Sequence, residues 1–347
     1  MTQGSTTQDR GLLARLSEGP LICAEGYVFE LERRGYIKAG AYVPEVVLDN
    51  PEALYALHRE FGRAGSDVMV ALTYYAHREK LRAVGRENDL EQMNQEALRI
   101  SSEVAGEFGS LVAGDLCNTW SYAPEDPASA DVVRAQYTEQ LGWCVDAGVD
   151  FILAETIEYL GEALIALEVI RAHGLPSVIN LAPIYEHTKD EFDWIEAAKI
   201  LSDHGADVVG FNCSRGLTTM MPLLRQLREA GSGTISAVPV PYRTTAEHPS
   251  FQFLKEPDGS SAYTLGLDQF LCTRIEAAQF ARDARDLGVG FIGLCCGAGP
   301  HHIRAMAEAL GRTVVASRYS PDLSQHSRLG SDEFVRESEK PFLQDWR

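Results

Sequence analysis

Short runs rich in β-branched and apolar residues recur along the chain, each followed by a longer stretch with helical period. The runs predict strands at Leu21–Phe29, Asp67–Thr73, Leu111–Leu116, Phe151–Ala154, Ser177–Leu181, Asp207–Asn212, Thr234–Val240 and Phe291–Leu294. The amphipathic stretches predict helices over Pro51–Arg63, Asp89–Phe108, Asp131–Ala147, Gly161–His173, Glu191–His204, Thr219–Ala230, Thr273–Leu287 and Pro300–Leu310. Gly148, Gly174, Gly205 and Gly288 each follow the last turn of one of these helices, where a left-handed residue ends it. Strict alternation of this kind implies a parallel sheet, and eight units fit a closed barrel better than an open one. An open nucleotide-binding sheet would also carry G-x-G-x-x-G after its first strand, where this chain has Glu25-Gly26-Tyr27. The expectation is an α/β protein: a single (β/α)8 TIM barrel over 20–315, with an N-terminal extension over 1–19 and a tail over 316–347. The segment 243–272 after the seventh strand is long and irregular, which in a compact domain usually marks function. The tail is polar until Phe342-Leu343-Gln344-Asp345-Trp346, and its terminal Trp346 suggests docking on the barrel or on a second copy in a homo-oligomer.

Composition changes this picture at two points. Among 347 residues, 50 Asp and Glu outnumber 31 Lys and Arg, for a net charge of -19. Such a surface repels phosphate backbones, so nucleic acid and anionic membrane are excluded as partners. No signal-peptide core and no membrane-length apolar run is visible, which points to the cytoplasm. In that reducing compartment seven cysteines, an odd number, are not a disulfide framework. Cys23, Cys117, Cys144 and Cys272 stand alone and read as small buried hydrophobes. Cys295-Cys296, set between glycines, does not read as packing.

In a barrel the residues just beyond the strands line the active-site mouth. The first strand delivers Glu25, the second Tyr74 and Tyr75, the third Asn118 and Trp120. The fourth delivers Glu155, the sixth Asn212 and Cys213, the eighth Cys295 and Cys296. Three thiols at one mouth form a metal constellation, and soft sulfur donors select zinc. Three ligands leave the fourth position open, and a thiolate-rich zinc suits a substrate that brings its own thiol. The plainer alternative is three cysteines buried at unrelated depths. Tyr42, Tyr74, Tyr75 and Trp120 could cage a quaternary ammonium or sulfonium, or simply pack at the barrel top. Glu25 and Glu155 could hold a substrate ammonium or face solvent. His301-His302 opens the last helix and reads as a surface feature whose backbone N–H groups could meet a carboxylate.

The stretches Val209-Gly210-Phe211-Asn212-Cys213 and Ile292-Gly293-Leu294-Cys295-Cys296-Gly297 resemble the paired zinc motifs of the homocysteine S-methyltransferase family. The block from Gly26 to Tyr36, then Lys38-Ala39-Gly40, Pro51-Glu52-Ala53, Leu57-His58-Arg59-Glu60-Phe61 and Arg63-Ala64-Gly65-Ser66, is similar to its betaine–homocysteine branch. The resemblance implies Cys213, Cys295 and Cys296 as ligands of Zn2+. It implies Glu155 as the acid that engages the homocysteine amino group and Tyr75 as a ligand-contacting tyrosine. Around them Glu25, Gly26, Tyr42, Tyr74, Trp120 and Asn212 are the expected substrate-binding residues. Departures from the family pattern are Ala24 for an Asp, Thr156 for a Tyr, and Tyr42 for a cage Trp. Glu25 lies one residue beyond the missing acid, where strand alternation turns it to the opposite face from that acid. The implied reaction is zinc-dependent methyl transfer from an onium donor, glycine betaine first, to homocysteine. A sulfonium donor such as dimethylsulfoniopropionate or S-methylmethionine is the first alternative, and a non-catalytic zinc-thiolate protein that binds onium solutes is the second.

Overall fold

A computed structural model describes residues 11–331 and 333–345. Its strands are β1 (Leu21–Ala24), β2 (Val68–Val70), β3 (Leu111–Cys117), β4 (Phe151–Ile157), β5 (Ser177–Leu181), β6 (Val208–Gly216), β7 (Thr234–Val240) and β8 (Phe291–Leu294). They pair in sequence order, all parallel, and close into a barrel through β1 against β8, with Leu21 opposite Phe291 and Ala24 opposite Leu294. Closure is tight. A Cβ on Gly293 would stand 2.3 Å from the Cys23 carbonyl oxygen, so only glycine fits there.

All eight helices expected from the pattern are present, within a few residues at either end. Gly148, Gly174, Gly205 and Gly288 lie at φ 70°, 71°, 91° and 81°, as the helix-ending reading requires. The first strand is the main correction. It stops at Ala24, and Val28 and Phe29 belong to a helix, Tyr27–Arg33, not to a strand. Gly26 makes the turn: its backbone presses so close to the Ala298 carbonyl that a Cβ would lie 2.1 Å from that oxygen. The second strand is also shorter than its apolar run, because Ala71 to Tyr75 turn over the barrel rim.

Within the extension, Leu12–Glu18 is a helix whose Leu12 is fully buried in the core. The segment 243–272 contains short 3-10 turns at Phe251–Phe253 and Leu267–Phe270 and lies against the mouth. The tail carries 3-10 turns at Val315–Tyr319, Leu323–Gln325 and Lys340–Asp345, while Trp346 falls outside the described residues. Among the described residues no helix is long and apolar enough to cross a membrane.

The barrel wall holds a pH-sensitive load. His58, on the helix Pro51–Ala64, is fully buried against Tyr27 with both ring nitrogens unpartnered. Burial drives its pKa down to about 3, against about 6.5 in an unfolded chain. The unfolded state therefore takes up a proton that the native state refuses. Stability is complete above pH 6.5 and declines as pH falls towards 3. Integrated over that window the loss is roughly 5 kcal/mol from this one ring. Urea melts between pH 7 and pH 4 should show His58→Leu losing markedly less stability on acidification than the parent chain. Parallel losses would remove His58 from the explanation.

Candidate active site

At the carboxyl ends of the strands, Cys213, Cys295 and Cys296 bring their Sγ atoms within 4.8 Å of one another, with the Cys295–Cys296 pair at 3.7 Å. Cys213 comes from an irregular end of β6: the register slips between Asn212 and Gly216, and Cys213 and Ser214 take φ 56° and 53°. Cys295 and Cys296 follow β8, whose end is fixed by the Cys295 N–H donating to Pro239 O. The electrostatics are lopsided. Thiol donors on Cys295 and Cys296 pull the Cys213 pKa well down, while the Cys213 sulfur drives both of theirs well up. Three thiols this close cannot all ionise unless a cation joins them, and this donor set fits a soft divalent ion.

A second group meets the first. Glu25, Glu155 and Cys295 also place ligand atoms within 4.8 Å of one another. Glu25 therefore faces the thiols: it shares the face of Cys23, two residues back, whose thiol pKa it helps to raise after burial does. Burial first, and the nearby Glu155 second, raise the Glu25 pKa well above the carboxyl range, and neither of its oxygens has a hydrogen-bond partner. Glu155 is pushed up to about 7 by burial and then by Cys213. Asn212 orients it, with Nδ2 donating to Glu155 Oε2 and Oδ1 accepting from the Thr156 N–H at 2.8 Å. Asn118 Nδ2 holds the same turn through Thr156 O at 2.8 Å. Glu25, Glu155, Cys295, Cys296 and Tyr74 line one crevice.

The expected aromatic residues separate into two places. Tyr74 and Tyr75 lie ring to ring at 4.2 Å, and Tyr75 meets Trp120 edge-on at 5.7 Å. Trp120 is 64% exposed, and the corner it forms with Tyr75 already holds a cation: Lys80 Nζ lies 4.1 Å from the Tyr75 centroid and 3.9 Å from that of Trp120. Tyr42 is buried and stacks on Phe29 at 5.2 Å. His302 is inward and structural, with Nδ1 accepting from the Gly299 N–H and Nε2 bonded to Cys272 O.

Sequence reasoning missed three residues here. Tyr263, in the long loop, has its pKa raised by burial and then by the charges of Cys296, Tyr42 and Cys213, which sets it within electrostatic reach of the thiols. Asp115, buried on β3, has its pKa raised by burial and by Glu155; one acid inside the apolar run Leu111–Cys117 was a readable signal. Lys80 gave none, since a lysine on a short helix reads as a solvated face.

Six of the seven described non-glycine residues with positive φ ring this mouth: Tyr42, Tyr75, Trp120, Thr156, Cys213 and Ser214. Each costs of order 1–3 kcal/mol, and such residues gather where side chains must be aimed rather than packed.

Known proteins resemble this chain along most of its length. A family model described as homocysteine S-methyltransferase matches residues 21–310. The betaine–homocysteine S-methyltransferase 1 of Bos taurus is 36% identical over 317 residues, 88% of this chain and 76% of that protein. The S-methylmethionine–homocysteine S-methyltransferase of Mus musculus is 35% identical over 314 residues, 88% of this chain and 83% of that protein. The metallated form of the Escherichia coli homocysteine methyltransferase MmuM superposes with a TM-score of 0.67 at 19% identity, covering 85% of this chain and 98% of that one, a likeness of fold.

Proposed function

Because the chain belongs to the homocysteine S-methyltransferase family and is a methyltransferase, we propose that it moves a methyl group from glycine betaine to homocysteine at a zinc-thiolate centre. The observation that carries the reading is the convergence of Cys213, Cys295 and Cys296 beside the partnerless carboxyl of Glu25. Zinc, which Cys213, Cys295 and Cys296 would hold, would supply homocysteine sulfur as a thiolate at neutral pH.

The chain's own residues do the rest. Glu155, aimed by Asn212, together with Glu25, takes the homocysteine ammonium. A buried acid pair short of hydrogen bonds is stabilised when such a cation arrives. Gly26 lets the first turn approach Ala298 closely, which keeps the Glu25 carboxyl over the thiols. Faces of Tyr42 and Tyr74 hold the onium group by the ring quadrupole, while Tyr75 and Trp120 shape the rim. In the transfer the S–CH3 bond forms as the CH3–N bond breaks, and the bonding pair leaves with nitrogen. The departing amine is neutral, so no base is needed at the methyl. Catalysis is mainly alignment, for which effective molarities of order 10⁵ M or more are available.

The similarity to an S-methylmethionine enzyme favours a sulfonium donor as the second reading. Zinc-loaded protein given homocysteine with glycine betaine, S-methylmethionine or dimethylsulfoniopropionate should form methionine fastest from betaine. Methionine from a sulfonium alone would replace betaine as donor, and none from any of the three would overturn the proposed transfer.

A further inference from the structure

Lys80 sits on the short helix Arg78–Ala83, directly after the tyrosine pair, and is only 6% exposed. Its ammonium occupies the corner between Tyr75 and Trp120, and among the described residues no carboxylate lies within ion-pair distance of it. Ring faces return about 2 kcal/mol to a desolvated cation, less than the several kcal/mol that burying an ammonium costs. His77, beside Tyr75, is kept neutral by burial and brings no negative charge. The Cys117 thiol is the acidic group that Lys80 feels, and burial keeps that thiol protonated. No protein anion among the described residues neutralises this ammonium.

Other cations around the mouth are committed. Arg33 donates to Asp268, Gly297 O and Tyr242 Oη, Lys189 pairs with Glu158, and Arg215 donates to Pro183 O and Tyr185 O. On the other side of the tyrosine pair, Tyr74 lines the crevice with Glu25, Glu155 and the thiols, a lining that offers no cationic side chain to a donor carboxylate. A zwitterion entering this mouth is therefore oriented: its cationic end faces the sulfur cluster and its carboxylate faces Lys80.

We propose that Lys80, held by Tyr75 and Trp120, anchors the carboxylate of a short onium acid, and so selects zwitterionic methyl donors over onium ions that lack a carboxylate. This rests on the methyltransferase reading above and extends it to donor selection. It also assigns the Tyr75–Trp120 corner to the protein's own cation, leaving the donor's onium group to the rings nearer the thiols.

Calorimetric titration of the full zinc-loaded chain tests this without requiring turnover. Lys80→Met should weaken glycine betaine and dimethylsulfoniopropionate binding by about 30-fold, roughly 2 kcal/mol, while changing trimethylsulfonium binding by less than about 3-fold. Lys80→Arg, which keeps the charge, should recover most of the loss, and the zinc content of both variants should match the parent. Equal weakening of all three ligands would show a packing role and overturn the assignment, as would unchanged binding of the two acids. If the parent chain binds these acids yet makes no methionine, the proposed transfer fails while the Lys80 comparison still decides its own question.

Discussion

Changing Cys213 to alanine should remove bound metal and methyl transfer together, with activity down by about 10³-fold or more, equivalent to roughly 4 kcal/mol of transition-state stabilisation. Two remaining thiols, Cys295 and Cys296, are neighbours in sequence, and they lack the strand-six partner that completes the trio. Cys144→Ala makes the matched control: that cysteine is equally buried but lies in the helix Pro127–Ala147, outside the metal-ligating group. Metal content by elemental analysis and methionine formation should separate the two variants cleanly. A Cys213→Ala protein that keeps one metal per chain and full activity would end the zinc-thiolate reading.

Glu155→Gln should behave differently. The trio remains, so metal stays bound, but the carboxylate that Asn212 aims is gone. Breaking one partner of a buried charge pair costs about 3–5 kcal/mol, which predicts a fall of about 10²–10⁴-fold in kcat/KM for homocysteine. The loss should shrink when the acceptor is a thiol without an amino group, since that thiol never used the carboxylate. An equal loss with both acceptors would place Glu155 at the metal or in the scaffold instead of at the ammonium.

The residues show which parts of this were legible beforehand. Glycine after each helix and the alternation of periods declared the barrel, because both reflect local chemistry that the chain states openly. Cys295-Cys296 between glycines pointed to the cluster of thiols at the mouth, since adjacent thiols have little use in packing. The end of β1 was not legible: Val28 and Phe29 suit a strand as well as a helix, and what decides is the approach of Gly26 to Ala298, some 270 residues later. Lys80 and Tyr263 were hidden for a related reason. Each is placed by tertiary contact, one by two aromatic rings from different loops, the other by a loop without periodicity. Left-handed backbone at Tyr75, Thr156 or Cys213 likewise has no signature in residue type.

Closure of the barrel has a consequence for how the protein matures. Two of the three thiols follow β8, the last strand made, and that strand pairs with β1, the first. Contacts this distant in sequence form late, after the entropy of closing the whole chain has been met. The complete sulfur trio therefore exists only once the final strand has docked, and any metal it takes would be captured at the close of folding. Zinc release in a melt would then mark the parting of first and last strands, ahead of any loss of helix.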